Sequence, residues 1–234
     1  MIESSGITSL NTKAIAEGKY VLYWMQAAQR GHYNHALQYA IDWANKLKLP
    51  AIVCFGLTDD YPEANLRHYH FMLTGLKETQ LSLREKGIKL VIKHQRPDIT
   101  AIEFAQNAAL VITDDGPMRI QKQWRREVGN KSPCLVQQVQ TNVIVPIAEA
   151  SDKENYSAGT LRPRINAKVD NYLVKLSHTK PKKESTSMKF DSFDISDTDA
   201  ALAKLKIDRS VSPTSFIPGT KAAQKILKHF TTIP

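Results

Sequence analysis

The chain has 234 residues, 42% of them hydrophobic and 24% charged, which is ordinary for a soluble globular protein with room for one large domain and an appendage. No apolar run approaches the roughly 18 residues of a membrane helix, and residues 1–19 lack the apolar core of a signal peptide, so we expect a cytoplasmic protein. Lys and Arg outnumber Asp and Glu by 32 to 23, a net charge of +9. That excess favours encounter with polyanions such as nucleic acid, although a solvated basic surface explains it equally well.

Residues 1–18 are polar and predict a flexible N-terminal arm. Apolar runs then predict five strands, over 20–25, 51–57, 89–94, 110–113 and 134–139. Helical spacing of apolar residues predicts helices between them, beginning near Asn34, Asn65, Pro97 and Asp115. This serial alternation predicts an α/β fold: a Rossmann-like, five-stranded parallel sheet with helices on both faces.

The pattern changes after residue 142. Residues 143–147 predict an edge strand or an extended crossing, since Pro146 argues against a central strand. Residues 154–175 read as helical with a break at Pro163. Residues 178–194 are rich in lysine and poor in apolar side chains, so we expect a mobile segment that trypsin cuts first. If this segment docks on the domain instead, Phe190 and Phe193 are its expected anchors.

Open parallel sheets bind ligands beyond the carboxyl ends of their strands, at the switch in strand order. We expect the first and fourth predicted strands to flank that switch and to form a cleft for a flat heteroaromatic ligand. The candidate binding residues are Trp24, Met25, Gln26, Arg30, Phe55, Asp114 and Asp115. No G-x-G-x-x-G or P-loop sequence is present, so the sequence supports neither a dinucleotide nor a P-loop site.

Several candidates also have a purely structural interpretation. Asp115 is placed to cap a helix, Arg30 to pair with a carboxylate, and Trp24 to fill the core. Gln26 has the strongest functional case, because a buried amide at a strand end needs partners. The basic cluster Arg119, Lys122, Arg125 and Arg126 on one predicted helix suits phosphate contact, but a solvated helix face is the simpler interpretation. The spacing of His and Cys residues predicts no metal site, and no catalytic nucleophile is evident.

Ordered segments along the chain resemble the class II cyclobutane pyrimidine dimer DNA photolyases, of the photolyase/cryptochrome family. The matching segments are YVLYWMQAAQR (20–30), YNHAL (33–37), FGLTD (55–59), EANLRHY (63–69), RIQKQWR (119–125) and LRPRI (161–165). The resemblance runs in order from about residue 19 to residue 168, which makes it far more specific than any single motif.

The resemblance implies light-driven DNA repair. Members hold an antenna chromophore in an N-terminal α/β domain, a deazaflavin in some relatives, and hold FAD in a C-terminal helical domain that binds DNA and the flipped lesion. Residues 19–177 then correspond to the α/β domain. Residues 178–234 correspond to a linker and the start of the helical domain, with a single Gly219 where relatives often have two glycines.

The expected function is therefore the antenna-side domain of a class II photolyase that is not catalytic by itself. A deazaflavin is its expected ligand, FAD is expected only in full-length relatives, and DNA binding is expected to be weak at best. Reduced FAD and light should leave pyrimidine dimers intact in the presence of this chain. A separate helical FAD domain is one expected partner. The alternative is a free-standing photolyase-like module, such as a truncated paralogue, that binds a deazaflavin, flavin, nucleotide or protein partner.

Overall fold

A computed structural model describes residues 2–232 of the chain. Its central sheet contains β1 (Ile7–Ser9), β2 (Tyr20–Trp24), β3 (Ala51–Leu57), β4 (Lys89–His94), β5 (Ala108–Asp114) and β6 (Leu135–Val139). The strand order is β1-β6-β5-β2-β3-β4. Strands β2 to β6 pair in parallel and β1 pairs antiparallel with β6. The predicted α/β class is confirmed, and the five predicted strands are joined by a sixth.

The sixth strand lies in the segment expected to be a flexible arm. Ile7 pairs with Val139 and Ser9 with Gln137, and the Asn11 side chain donates to the carbonyls of Gly129 and Cys134. The loose-arm expectation therefore fails for this part of residues 1–18. Residues 143–147 do not join the sheet, because β1 already occupies the edge of β6.

Helices cover both faces of the sheet, as predicted. They are α1 (His35–Leu47), α2 (Leu66–Glu85), α3 (Pro97–Ala105), α4 (Arg119–Lys131), α5 (Ile147–Ala150), α6 (Ala158–Asn166), α7 (Val169–Tyr172), α8 (Thr198–Ala203) and α9 (Thr220–Thr232). Helices α1 and α2 share one apolar core with the sheet, and α3 and α4 share the other. Pro163 lies inside α6 rather than ending it. Among these helices none combines the length and apolar character needed to cross a bilayer.

The lysine-rich segment 178–194 is docked on the domain. The buried Ser185 hydroxyl donates to the carbonyl of Ala51 at 2.6 Å and accepts from the Lys89 amide at 2.8 Å. Phe190 packs 5.5 Å from the Phe104 ring, between ring centroids, and the Phe193 amide donates to the carbonyl of Ile92. The expected mobile segment instead runs along the free edge of β4, where it shields unpaired backbone groups. The two phenylalanines are its anchors, as the docked alternative expected.

Replacing Ser185 by alanine should release this segment locally. The change leaves a buried backbone carbonyl and a buried amide without their partner, so tryptic cleavage after Lys183 and Lys189 should accelerate by about tenfold. Ser187→Ala is the matched control, because Ser187 is exposed. Limited trypsinolysis followed by mass spectrometry measures both rates. Equal cleavage rates in the two variants would show that the buried hydroxyl does not hold the segment.

Candidate functional site

A cavity of about 780 Å³ opens beyond the carboxyl ends of β2 and β3. The loop after β3, the start of α2, Pro97 at the start of α3 and one face of α4 form further parts of its wall. Its volume falls in the range typical of small-molecule sites and is large enough for a tricyclic heteroaromatic ligand. The residues that line it include Met25, Gln26, Phe55, Tyr61, Tyr69 and Trp124.

Most of the cavity wall is apolar and held in place. The Tyr61 and Trp124 rings meet edge to face, with centroids 6.0 Å apart. The Tyr69 hydroxyl donates to the carbonyl of Thr58 at 2.7 Å, which fixes its ring. Polar side chains, among them Gln29, Arg67, His68 and Gln121, also line the cavity. Flat apolar walls with a few polar groups favour a planar ligand that has a polar edge.

Among the described residues that line this cavity, only Gln26 has a buried side-chain polar atom without a hydrogen-bond partner. Its side chain is only 7% exposed. The amide oxygen accepts from the Arg125 guanidinium at 3.4 Å, whereas the amide nitrogen has no hydrogen-bond partner. A buried donor without a partner costs about 1 to 3 kcal/mol. The Gln26 amide nitrogen is therefore a buried donor beside the cavity, and no described residue makes its hydrogen bond.

The structure brings three of the seven predicted site residues to the cavity: Met25, Gln26 and Phe55. Strands β2 and β5 are neighbours, as expected for the switch in strand order, but the cavity opens over β2 and β3. The predicted cleft between β2 and β5 is filled by the chain that follows β2. Trp24 is fully buried in the core shared with α3 and α4.

Asp114 holds the loop after β2, which fills the cleft between β2 and β5. Its fully buried carboxylate accepts from the amides of Gln26 at 2.9 Å and Ala28 at 2.7 Å, and also from the Ala27 amide. The Tyr23 hydroxyl donates to the same carboxylate at 3.0 Å. Burial, reinforced by Asp114, raises the pKa of Tyr23, so this hydroxyl stays a neutral donor. Asp114 does not line the cavity. It affects the cavity's shape indirectly, because it fixes the backbone of residues 26–28.

The other two predicted polar residues are also engaged elsewhere. Arg30 donates to the Asn142 side chain at 2.7 Å and to the carbonyl of Thr141. Asp115 accepts from Arg125 at 2.8 Å. Arg125 is 4% exposed, so this member of the basic cluster on α4 belongs neither to a solvated face nor to a phosphate-binding one.

Sequence reasoning missed the cavity residues outside the strands. Tyr61 lies in the loop after β3, Tyr69 lies on α2, and Gln121 and Trp124 lie three residues apart on α4. That spacing places Gln121 and Trp124 on one face of α4. It was the one feature of the sequence that could have identified this pair. No group of three or more His, Cys, Asp or Glu side chains within residues 2–232 is placed to hold a metal ion.

Known proteins match most of this chain. The DNA photolyase family matches residues 21–185. The deoxyribodipyrimidine photo-lyase of Methanothermobacter thermautotrophicus is 41% identical over 234 aligned positions, and the alignment covers 98% of this chain and 51% of that protein. The chain thus spans about half the length of this relative.

Two solved photolyases share the fold. An archaeal photolyase from Sulfolobus tokodaii, solved with two FAD molecules and interpreted to imply a novel light-harvesting cofactor, superposes with a TM-score of 0.62 at 17% identity and covers 89% of this chain and 46% of its own. A class III photolyase from Agrobacterium tumefaciens gives a TM-score of 0.65 at 16% identity, covering 92% of this chain and 45% of its own. The family match over most of the chain, together with this fold, shows that the chain belongs to the DNA photolyase family.

Proposed function

We propose that this chain forms the antenna-side N-terminal domain of a class II deoxyribodipyrimidine photolyase and that its cavity holds a flat chromophore of the deazaflavin or flavin type. The observation that carries the proposal is the unpartnered amide nitrogen of Gln26, a residue that lines a largely aromatic and apolar cavity. The cofactor supplies the light absorption, and the protein supplies binding, orientation and exclusion of water.

Two comparisons support this proposal. The Methanothermobacter relative is a deoxyribodipyrimidine photo-lyase, and the Sulfolobus structure, solved with two FAD molecules, was interpreted to imply a novel light-harvesting cofactor. The class II assignment rests on the ordered resemblance that runs from about residue 19 to residue 168. Repair of pyrimidine dimers in DNA, driven by FAD, is the proposed activity of the whole enzyme, with the catalytic chemistry outside this domain.

Residues 178–232 suit the proposed connection to a helical domain. Lys221 at the start of α9 donates its amide to the Glu78 carboxylate at 3.0 Å, which ties this helix to α2. Further along α9, Ile226, Leu227 and Phe230 are 60% to 71% exposed. An apolar face of this kind is typical of a surface that packs against another domain.

The proposal predicts that the purified chain binds 5-deazariboflavin or riboflavin and that filling the cavity weakens this binding. Ala64→Trp places an indole among the lining residues and should weaken binding by at least about tenfold, through loss of space and not of stability. Ligand fluorescence in equilibrium titrations measures the affinity. Ala223→Trp, at an exposed position of α9, is the matched control and should bind as the wild type does.

Two results would contradict the proposal. One is wild-type protein that binds neither compound. The other is equal binding by Ala64→Trp, which would place the site elsewhere. Tighter binding of a nucleotide than of either tricyclic compound would favour the free-standing binding module over the antenna domain.

A further inference from the structure

We infer that Asp115 and Arg125 form a positioning pair that fixes the side-chain amide of Gln26, and that the cavity consequently selects a ligand edge bearing a hydrogen-bond acceptor. Neither Asp115 nor Arg125 lines the cavity, so both act through Gln26. The inference rests on the proposed function, because it concerns the polarity of the same cavity.

Arg125 is held from several directions. Its Nη2 donates to Asp115 Oδ1 and to the carbonyl of Gly116, both at 2.8 Å. Its Nε donates to Gln138 Oε1 at 3.1 Å, which leaves Nη1 directed at Gln26 Oε1 at 3.4 Å. The Asp115 amide in turn donates to the carbonyl of Val139 at 3.0 Å. Bonds at every guanidinium nitrogen leave the buried Arg125 side chain little freedom to turn.

The chemistry of a guanidinium determines which way the Gln26 amide faces. Arginine carries only donors, whereas a glutamine amide has an acceptor oxygen and a donor nitrogen. A flipped Gln26 would place its nitrogen against Arg125, donor against donor, inside a region of low dielectric constant. The oxygen therefore faces Arg125, and the nitrogen is the half of the amide left without a partner.

A free glutamine in a pocket adapts to either a donor or an acceptor by turning its amide. The positioning pair removes that freedom, so the buried Gln26 presents a donor only. A ring edge with a carbonyl oxygen satisfies this donor, and an edge that presents an N–H group opposes it. Sites built around a buried polar group reject analogues that leave the group unpaired. The pyrimidinedione edge of a flavin or deazaflavin has two carbonyl oxygens on either side of its N3–H, so a carbonyl oxygen, and not the N–H, has to meet Gln26.

Gln26→Glu separates this role from a structural one. The carboxylate still accepts from Arg125, so the fold should be retained, but the donor is replaced by acceptors. We expect the variant to bind 5-deazariboflavin at least about tenfold more weakly than wild type. Gln26→Met, which has neither donor nor charge, should lose less, about fivefold. Thermal unfolding of both variants establishes that each is folded.

Ligand analogues test the same hydrogen bond by changing the acceptor on the ligand instead of the donor on the protein. Replacing a carbonyl oxygen by sulfur weakens the acceptor, so either 2-thio- or 4-thio-5-deazariboflavin should bind wild type about fivefold more weakly than the parent compound. The difference should disappear in Gln26→Met. Equal binding of parent and both thio analogues to wild type, or undiminished binding by Gln26→Glu, would overturn the selectivity.

The positioning pair is testable without any ligand. In wild type the side-chain ¹⁵N relaxation of the Gln26 amide should report a rigid group. In the double variant Arg125→Met and Asp115→Asn, which leaves no unpaired buried charge, the same amide should become mobile. Mobility already present in wild type would overturn the inference. A rigid amide in wild type that binds no tricyclic probe would support the positioning pair while overturning the proposed function, so the two failures are distinguishable.

Discussion

Asp114→Ala is expected to lower the free energy of unfolding by about 3 to 5 kcal/mol. Three backbone amides and the Tyr23 hydroxyl donate to this buried carboxylate. Without it, these donors remain buried with no partner, and the loop that separates β2 from the cavity loses its shape. Ligand binding should fall together with stability.

Denaturant unfolding followed by circular dichroism measures the change. Asp191→Ala is the control, because its side chain is 93% exposed in its pair with Lys93 and should change stability by less than about 0.5 kcal/mol. Asp114→Asn should be intermediate, since one of its two oxygens is kept as an acceptor. If Asp114→Ala lost ligand affinity while keeping wild-type stability, the residue would be a ligand contact and not a structural one.

Gly56→Ala is expected to destabilise the protein by about 2 to 3 kcal/mol and to disturb the cavity. A methyl group on Gly56 would lie 2.4 Å from Pro97 Cα and 2.9 Å from Pro97 N. These are backbone atoms at the start of α3, so relief requires moving the whole helix away from β3. Both Gly56 and Pro97 line the cavity, so the displacement reaches the ligand site.

Gly159→Ala is the matched control for this substitution. Gly159 is exposed in α6, and an added methyl group would lie 3.6 Å from its nearest neighbour. There the change should stabilise the helix by up to about 1 kcal/mol, because alanine is the better helix former. Thermal unfolding of the two variants should therefore shift in opposite directions. A neutral Gly56→Ala would mean that α3 is free to shift on the sheet.

The sequence was a good guide to the local elements of the sheet and helices. Buried strands such as Ala51–Leu57 are apolar over their whole length, and α1 begins where the Asn34 side chain accepts from the Leu37 amide. Both signals are local, since a strand's burial and a helix cap are encoded within a few residues. Strand β1 was missed because its three residues carry no such pattern and are ordered by distant β6.

The candidate site was only partly accessible from the sequence. The carboxyl ends of the strands indicated Met25, Gln26 and Phe55, which the structure places at the cavity wall, because parallel strands bring their ends to one edge of the sheet. The sequence offered no means of telling that Asp114 turns inwards to bind the loop after β2. A carboxylate at a strand end is equally suited to a ligand and to backbone amides, and only the path of the chain around it decides.

The sequence by itself determined the α/β class, the five parallel strands and the family resemblance, because these depend on residue patterns repeated along the chain. Tertiary structure decided where the cavity opens, which aromatic side chains of α2 and α4 line it, and how the 178–194 segment docks. It also decided that Arg125 is buried against Asp115 and Gln26, although its neighbours on α4 make a basic cluster. Such contacts join residues as far apart as Ala51 and Ser185, 134 positions along the chain, and their energy depends on packing geometry that no local pattern encodes.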